Sequence, residues 1–131
     1  MPNHAASAYS LTQQRTADPR QLEAALLLVA AARLQHLRDN MASPVRRHDL
    51  DSAIAFNAKL WAIFLASAMR QRRLVPDRVH DDIAELALAV FATSARLVAR
   101  RPAEEAAPDP GHDIGALIEI NRIVAIALRA P

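Results

Sequence analysis

Only two glycines, Gly111 and Gly115, occur in 131 residues. Tight hairpin turns draw on glycine for backbone at positive φ, and a sheet protein of this length needs many of them. The shortage argues against an all-β fold. Alanine, the strongest helix former, supplies 29 residues. With 52% hydrophobic and 23% charged residues, the chain can bury a core, and its length is that of one domain. The expectation is all-α: a compact bundle of four main helices, a single domain over 1–131, with a short helix in the N-terminal segment 1–17.

The same composition removes several classes of function. With no cysteine there is no disulfide framework, thiol catalysis or cysteine zinc site, which fits a reducing, cytoplasmic setting. The longest unbroken apolar run, Ala24–Ala32, has nine residues, against about 20 for a membrane span. Membrane insertion is not expected. Met1–His4 shows no basic region leading into an apolar stretch, so no secretory signal is read. The formal charge of +2 is close to balance and aromatics are 4%. Neither suits direct binding to nucleic acid.

Helix punctuation is clear in places. Asp18-Pro19-Arg20-Gln21 reads as a helix start, with Asp18 as N-cap and Pro19 in the first helical position. Leu22, Leu26, Val29, Arg33 and Leu37 then recur at helical spacing, to an end near Asp39–Asn40. A second helix starts at Asp49–Asp51 and runs to about Arg73. Its stripe is Leu50, Ile54, Asn57, Trp61, Phe64 and Ala68, with Phe56, Leu60 and Ile63 beside it. So much apolar surface places this helix centrally. A third spans about 77–100 on Val79, Ile83, Leu86, Val90 and Leu97, flanked by Ala87, Phe91 and Val98. Residues 101–112 hold three prolines and read as a flexible linker. The last helix covers 113–129. Ile114, Leu117, Ile118, Asn121, Val124, Ala125 and Leu128 form its main face, Ile120 and Ile123 broaden it, and Ile126 lies outside.

No set of residues with catalytic or metal-binding spacing appears, and no cofactor is implied. The five histidines do not pair at ligand spacing, and His80-Asp81-Asp82 are neighbours that point apart on a helix. Arg46-Arg47 and Arg70–Arg73 fall at helix boundaries, where solvated charge is ordinary. Asn57 and Asn121 are unusual because both interrupt apolar stripes. An unsatisfied buried amide costs about 1–3 kcal/mol. The two either bond each other or backbone and set helix register, or they face a partner. Trp61, the sole tryptophan, reads as a core anchor or else an interface anchor.

Three segments resemble the FlaF family of flagellar biosynthesis regulators from α-proteobacteria. They are Ala8-Tyr9 with Thr16–Arg20 and Glu23, then Asn57–Trp61, and then Asp113–Arg122. The closing Leu117-Ile-Glu-Ile-Asn-Arg122 is the most specific. The family often has tryptophan where this chain has Ala89, and a shorter connection before the last helix. The resemblance implies a small cytoplasmic helical protein without enzymatic activity, needed for flagellin production and export. It also implies a functional link to FlbT, a second regulator that controls flagellin mRNA.

Three functions compete at this level. One is an export chaperone that receives an amphipathic segment of unassembled flagellin in an apolar groove. Its candidate surface is the last helix, through Ile114, Leu117, Ile118, Ile120, Ile123 and Ile126. The second is a post-transcriptional regulator of flagellin mRNA, acting directly or through an RNA-binding partner. The third is a homodimer that buries the last helix against its own copy.

Overall fold

The computed structural model describes residues 18–41, 46–74, 78–100 and 110–130. They form four α-helices: α1 Pro19–Asp39, α2 Arg46–Leu74, α3 Arg78–Ala99 and α4 Pro110–Arg129. The expected leading helix and most of the linker, residues 101–109, lie outside the described residues. Each helix packs on its two neighbours in the order α1, α2, α3, α4 and back to α1, most extensively between α1 and α4. The beginnings of α1 and α3 meet the closing turns of α2 and α4 at one end, so the helices alternate in direction. The fold is all-α, a four-helix bundle around one core.

Local chemistry explains the boundaries. Asp18 Oδ1 accepts from the Arg20 backbone N–H at 3.0 Å, and Pro19 stands where a proline sacrifices no helical bond. At the other end Asn40 closes α1: its backbone N–H donates to the Leu37 carbonyl, and its Nδ2 donates to the His36 carbonyl at 2.7 Å. α4 begins at Pro110 rather than near Asp113, so the last three residues assigned to the linker are helical. Pro110 is the reason, since proline is pre-set for a first helical turn. α2 begins three residues ahead of the expected Asp49.

The burial pattern departs from the expected stripes in three places. In α1 the core face is Ala24, Leu27, Ala30, Ala31, Leu34 and Leu37. The stripe through Leu22, Val29 and Arg33 faces outward, with Val29 61% exposed. Nine consecutive apolar residues hide the period, and the alanine-rich side wins because it lets α4 approach closely. In α2, Leu60 is buried but Phe56 and Ile63 are exposed, so this helix has an outer apolar side instead of lying centrally. In α3, Val98 is 56% exposed.

Within α2, His48–Gln71 is long and apolar enough to cross a membrane by length and composition alone. The unbroken-run criterion missed it because Asn57 and Lys59 interrupt it. Its buried residues serve the bundle core.

Gly115 in α4 sits beneath Arg38 of α1. An added Cβ would come 3.1 Å from the guanidinium Nη1, 3.4 Å from Cζ and 3.5 Å from Nη2, so its three nearest neighbours are all the head of Arg38. Arg38 is exposed and its head can swing away. Glycine inside a helix costs about 1 kcal/mol relative to alanine. Gly115→Ala is therefore expected to stabilise the fold by about 0.5–1 kcal/mol in urea unfolding. A loss of stability would mean that Arg38 is held in place.

Candidate functional site

The bundle centre carries a polar cluster. Asn57 and Trp61 are adjacent on the inner face of α2, one turn apart, and Asn121 enters from α4; all three are fully buried. Trp61 Nε1–H donates to Asn121 Oδ1 at 2.9 Å. Asn121 Nδ2 donates to Asn57 Oδ1 at 2.7 Å and to the Leu27 carbonyl of α1 at 3.2 Å. One amide thus joins three helices. Flipping it would set NH2 against the indole N–H, so the bonding fixes its orientation. Asn57 Nδ2 is buried and has no hydrogen-bond partner among the described residues. Phe64 adds an edge-on contact to the Trp61 ring, with centroids 6.1 Å apart.

Beyond Trp61, towards the end where α1 and α3 begin, lies an open cavity of about 530 Å³. Trp61 is its floor, and Phe64, Ile83, Leu86, Val124 and Leu128 give it apolar walls. Ser67, Ala68 and Ala127 are too small to fill the space between the helix ends. Asp18, Arg20, Glu23, Gln71, His80 and Asp82 supply the polar lining. His80 Nε2 pairs with Gln71 Oε1 at 3.0 Å, tying the end of α2 to the start of α3. Burial raises the Glu23 carboxyl above its ordinary value of 4.5; Arg20 opposes this and Asp18 adds to it.

α4 supplies the cavity with Ile123 and Ala127, then continues outward to Ile126. These positions share one face at spacings of three and four. Ile123 is 56% exposed and Ile126 70%. The expected partner-facing residues therefore divide. Ile114, Leu117 and Ile118 are buried in the bundle, because the α1 and α3 faces close over them. Ile120 is half-buried against the core, while Ile123 and Ile126 are open. Ala89, at the departure from the family pattern, is exposed on α3. Arg70 and Arg73 are exposed, whereas the side chains of Arg46, Arg47 and Arg72 lie outside the described residues. Among the described residues no group of three or more His, Cys, Asp and Glu could hold a metal ion.

Sequence spacing had no means of finding the cavity. Glu23, Gln71, His80 and Ile123 lie on four different helices and meet only through the alternating packing. The mixture of small and large side chains around Trp61 is visible only once those helices are side by side.

These features define a class: a small four-helix bundle locked by a polar core cluster, with an apolar strip that runs into an open end cavity. The chain matches the family model described as flagellar protein FlaF over residues 5–128, nearly its whole length, and it belongs to that family. No curated protein and no solved structure gives a match.

The cluster separates the two asparagines energetically. Asn121→Leu strands the Trp61 N–H and the Asn57 oxygen in the core. Asn57→Leu removes an already unpaired NH2 and takes one of two acceptors from Asn121 Nδ2. Each stranded group costs about 1–3 kcal/mol, so Asn121→Leu should destabilise by about 2 kcal/mol more than Asn57→Leu in chemical unfolding. Equal losses would show that the amide network is not formed as described.

Glu23 gives a pH signature. With its folded value raised, the protonated form favours the fold. That contribution is full below 4.5 and is lost as pH rises through the raised value. Glu23→Gln should therefore raise the melting temperature relative to the parent chain at about pH 7, and lose that advantage at about pH 4. A gain independent of pH would contradict the burial of this carboxyl.

Proposed function

We propose that this flagellar protein promotes flagellin production and export by binding unassembled flagellin as a cytoplasmic chaperone. The observation that carries this reading is the continuity of the α4 strip with the cavity: Ile126 lies outside, and Ile123, itself exposed, lines the cavity together with the walls above Trp61. An amphipathic helix could lay its apolar face along Ile123 and Ile126 and place one large side chain in the cavity. This is a helix-in-groove mode. Exposed apolar surface costs about 25 cal/mol per Å² while uncovered, so a partner that covers the strip gains that much. Membership of the FlaF family supports the flagellar setting.

Pull-down of flagellin by purified variants tests this. Ile126→Glu should leave helicity and melting temperature unchanged, because the side chain stands clear of the core. It should weaken flagellin capture by about tenfold, as loss of a central apolar contact does. Replacing Arg70, Arg72 and Arg73 together by Gln should change capture less than about twofold. Loss of capture in the triple arginine variant, with normal capture by Ile126→Glu, would replace this reading with an electrostatic one linked to flagellin mRNA.

A further inference from the structure

The outer side of α3 carries a second apolar surface, apart from the α4 strip and the cavity. Leu88, Ala92, Ala95 and Ala99 are all exposed and recur at spacings of four, three and four. That is the pattern of a seam between two helices. Val98 flanks the seam and is also exposed. Successive residues advance by about 100° around a helix. The seam therefore fills the arc of α3 between His80, which faces α2 through Gln71, and Arg96, which turns to α4 and meets Asp113 at 3.4 Å. α2 continues the surface with Ala55, Ala62 and Met69, all exposed. None of these positions carries a charge, and Lys59 of α2 stands at the rim.

We propose that two copies of the chain meet on this face, α3 against α3 and antiparallel, about a twofold axis between Ala92 and Ala95.

Area, shape and charge each favour a second copy. Leu88 is 64% exposed, Val98 56% and Met69 41%. With the exposed alanines, the face offers roughly 600 Å² of apolar surface, at the upper end for a monomer and close to the apolar share of a homodimer interface of about 800 Å² per copy. Small residues at the centre let the two α3 axes approach to about 8 Å. With Ala92 opposite the partner's Ala95, Leu88 falls opposite the partner's Ala99, so a large side chain meets a small one at each end of the seam. A twofold axis brings every central group onto its own copy, so a charge there would repel itself. The seam has none, and Arg96 beside it is engaged with Asp113. The contact leaves the α4 strip and the cavity uncovered in both copies. It stands on the α3 face alone and does not depend on flagellin binding.

Sedimentation equilibrium of the full-length chain from about 1 to 100 µM should show a reversible monomer–dimer equilibrium. Leu88→Glu with Ala95→Glu should raise the dissociation constant by at least about a hundredfold, because each copy would bury unpaired carboxylates. Both positions are exposed, so helicity and melting temperature of the monomer should be kept. Ile126→Glu should leave association intact. Disulfide trapping gives an independent readout, since the natural sequence has no cysteine. Oxidation of Ala95→Cys should give the linked dimer about tenfold faster than oxidation of Ala32→Cys, on the exposed side of α1. A monomer at every concentration, or equal oxidation rates, would overturn the proposal. Association lost in Ile126→Glu but kept in the α3 variant would overturn it in favour of α4 as the dimer surface. A monomer that co-floats with phosphatidylglycerol vesicles through Leu88 would overturn it in favour of a bilayer surface.

Discussion

Asn121 offers one acceptor group and one NH2 inside the bundle, and both find partners on other helices. Its oxygen takes the indole hydrogen of Trp61, and its two N–H bonds go to Asn57 and to the carbonyl of Leu27. Apolar contacts between alanines and leucines are tolerant of sliding, whereas these bonds are not. Advancing α4 by one residue would swing residue 121 by about 100° and leave the indole, the Asn57 oxygen and the amide unpaired in the core. At about 1–3 kcal/mol for each group, alternative registers are strongly disfavoured. The alanine-rich inner face of α1 then allows α4 to come close enough for the bond to Leu27.

The cavity follows from the same cluster. Trp61 is held at a fixed depth by its bond to Asn121 and by the edge of Phe64. Above it the inward positions are small, at Ser67, Ala68 and Ala127, so the helices stay apart without filling the space. The polar groups at that end come from helix termini, where Asp18 caps α1 and His80 pairs with Gln71. A pocket placed at the mouth of the bundle, with α4 leading into it from outside, can accept a chain segment without opening the core.

Much of this was legible in the sequence, and the exceptions have physical causes. The α2 stripe through Ile54, Asn57, Trp61 and Ala68 was legible because its positions recur at helical spacing. The two asparagines are conspicuous against apolar neighbours, and the Asp18-Pro19 start of α1 is carried by side-chain chemistry alone. The inner face of α1 was misread because Ala24–Ala32 is apolar all round, leaving the choice of face to packing against α4. Phe56, Ile63 and Val98 were placed inside by periodicity, yet each helix has only two main neighbours and leaves an outer side uncovered. On α4 all six isoleucine and leucine positions were candidates for the partner surface; packing took Ile114, Leu117 and Ile118 from the main face and left Ile123 and Ile126 free.

The claim on which the account rests is that the Trp61 indole hydrogen is locked in the core by Asn121. With one tryptophan in the chain, its indole N–H gives a single proton resonance whose exchange with deuterium can be followed directly. If the cluster is the lock of the bundle, this hydrogen should exchange only through global unfolding. Its protection should then equal that of the slowest backbone amides of α1 and α4, and it should fall in step with them as urea is added. Exchange through local opening, much faster than those amides and insensitive to urea, would contradict the account.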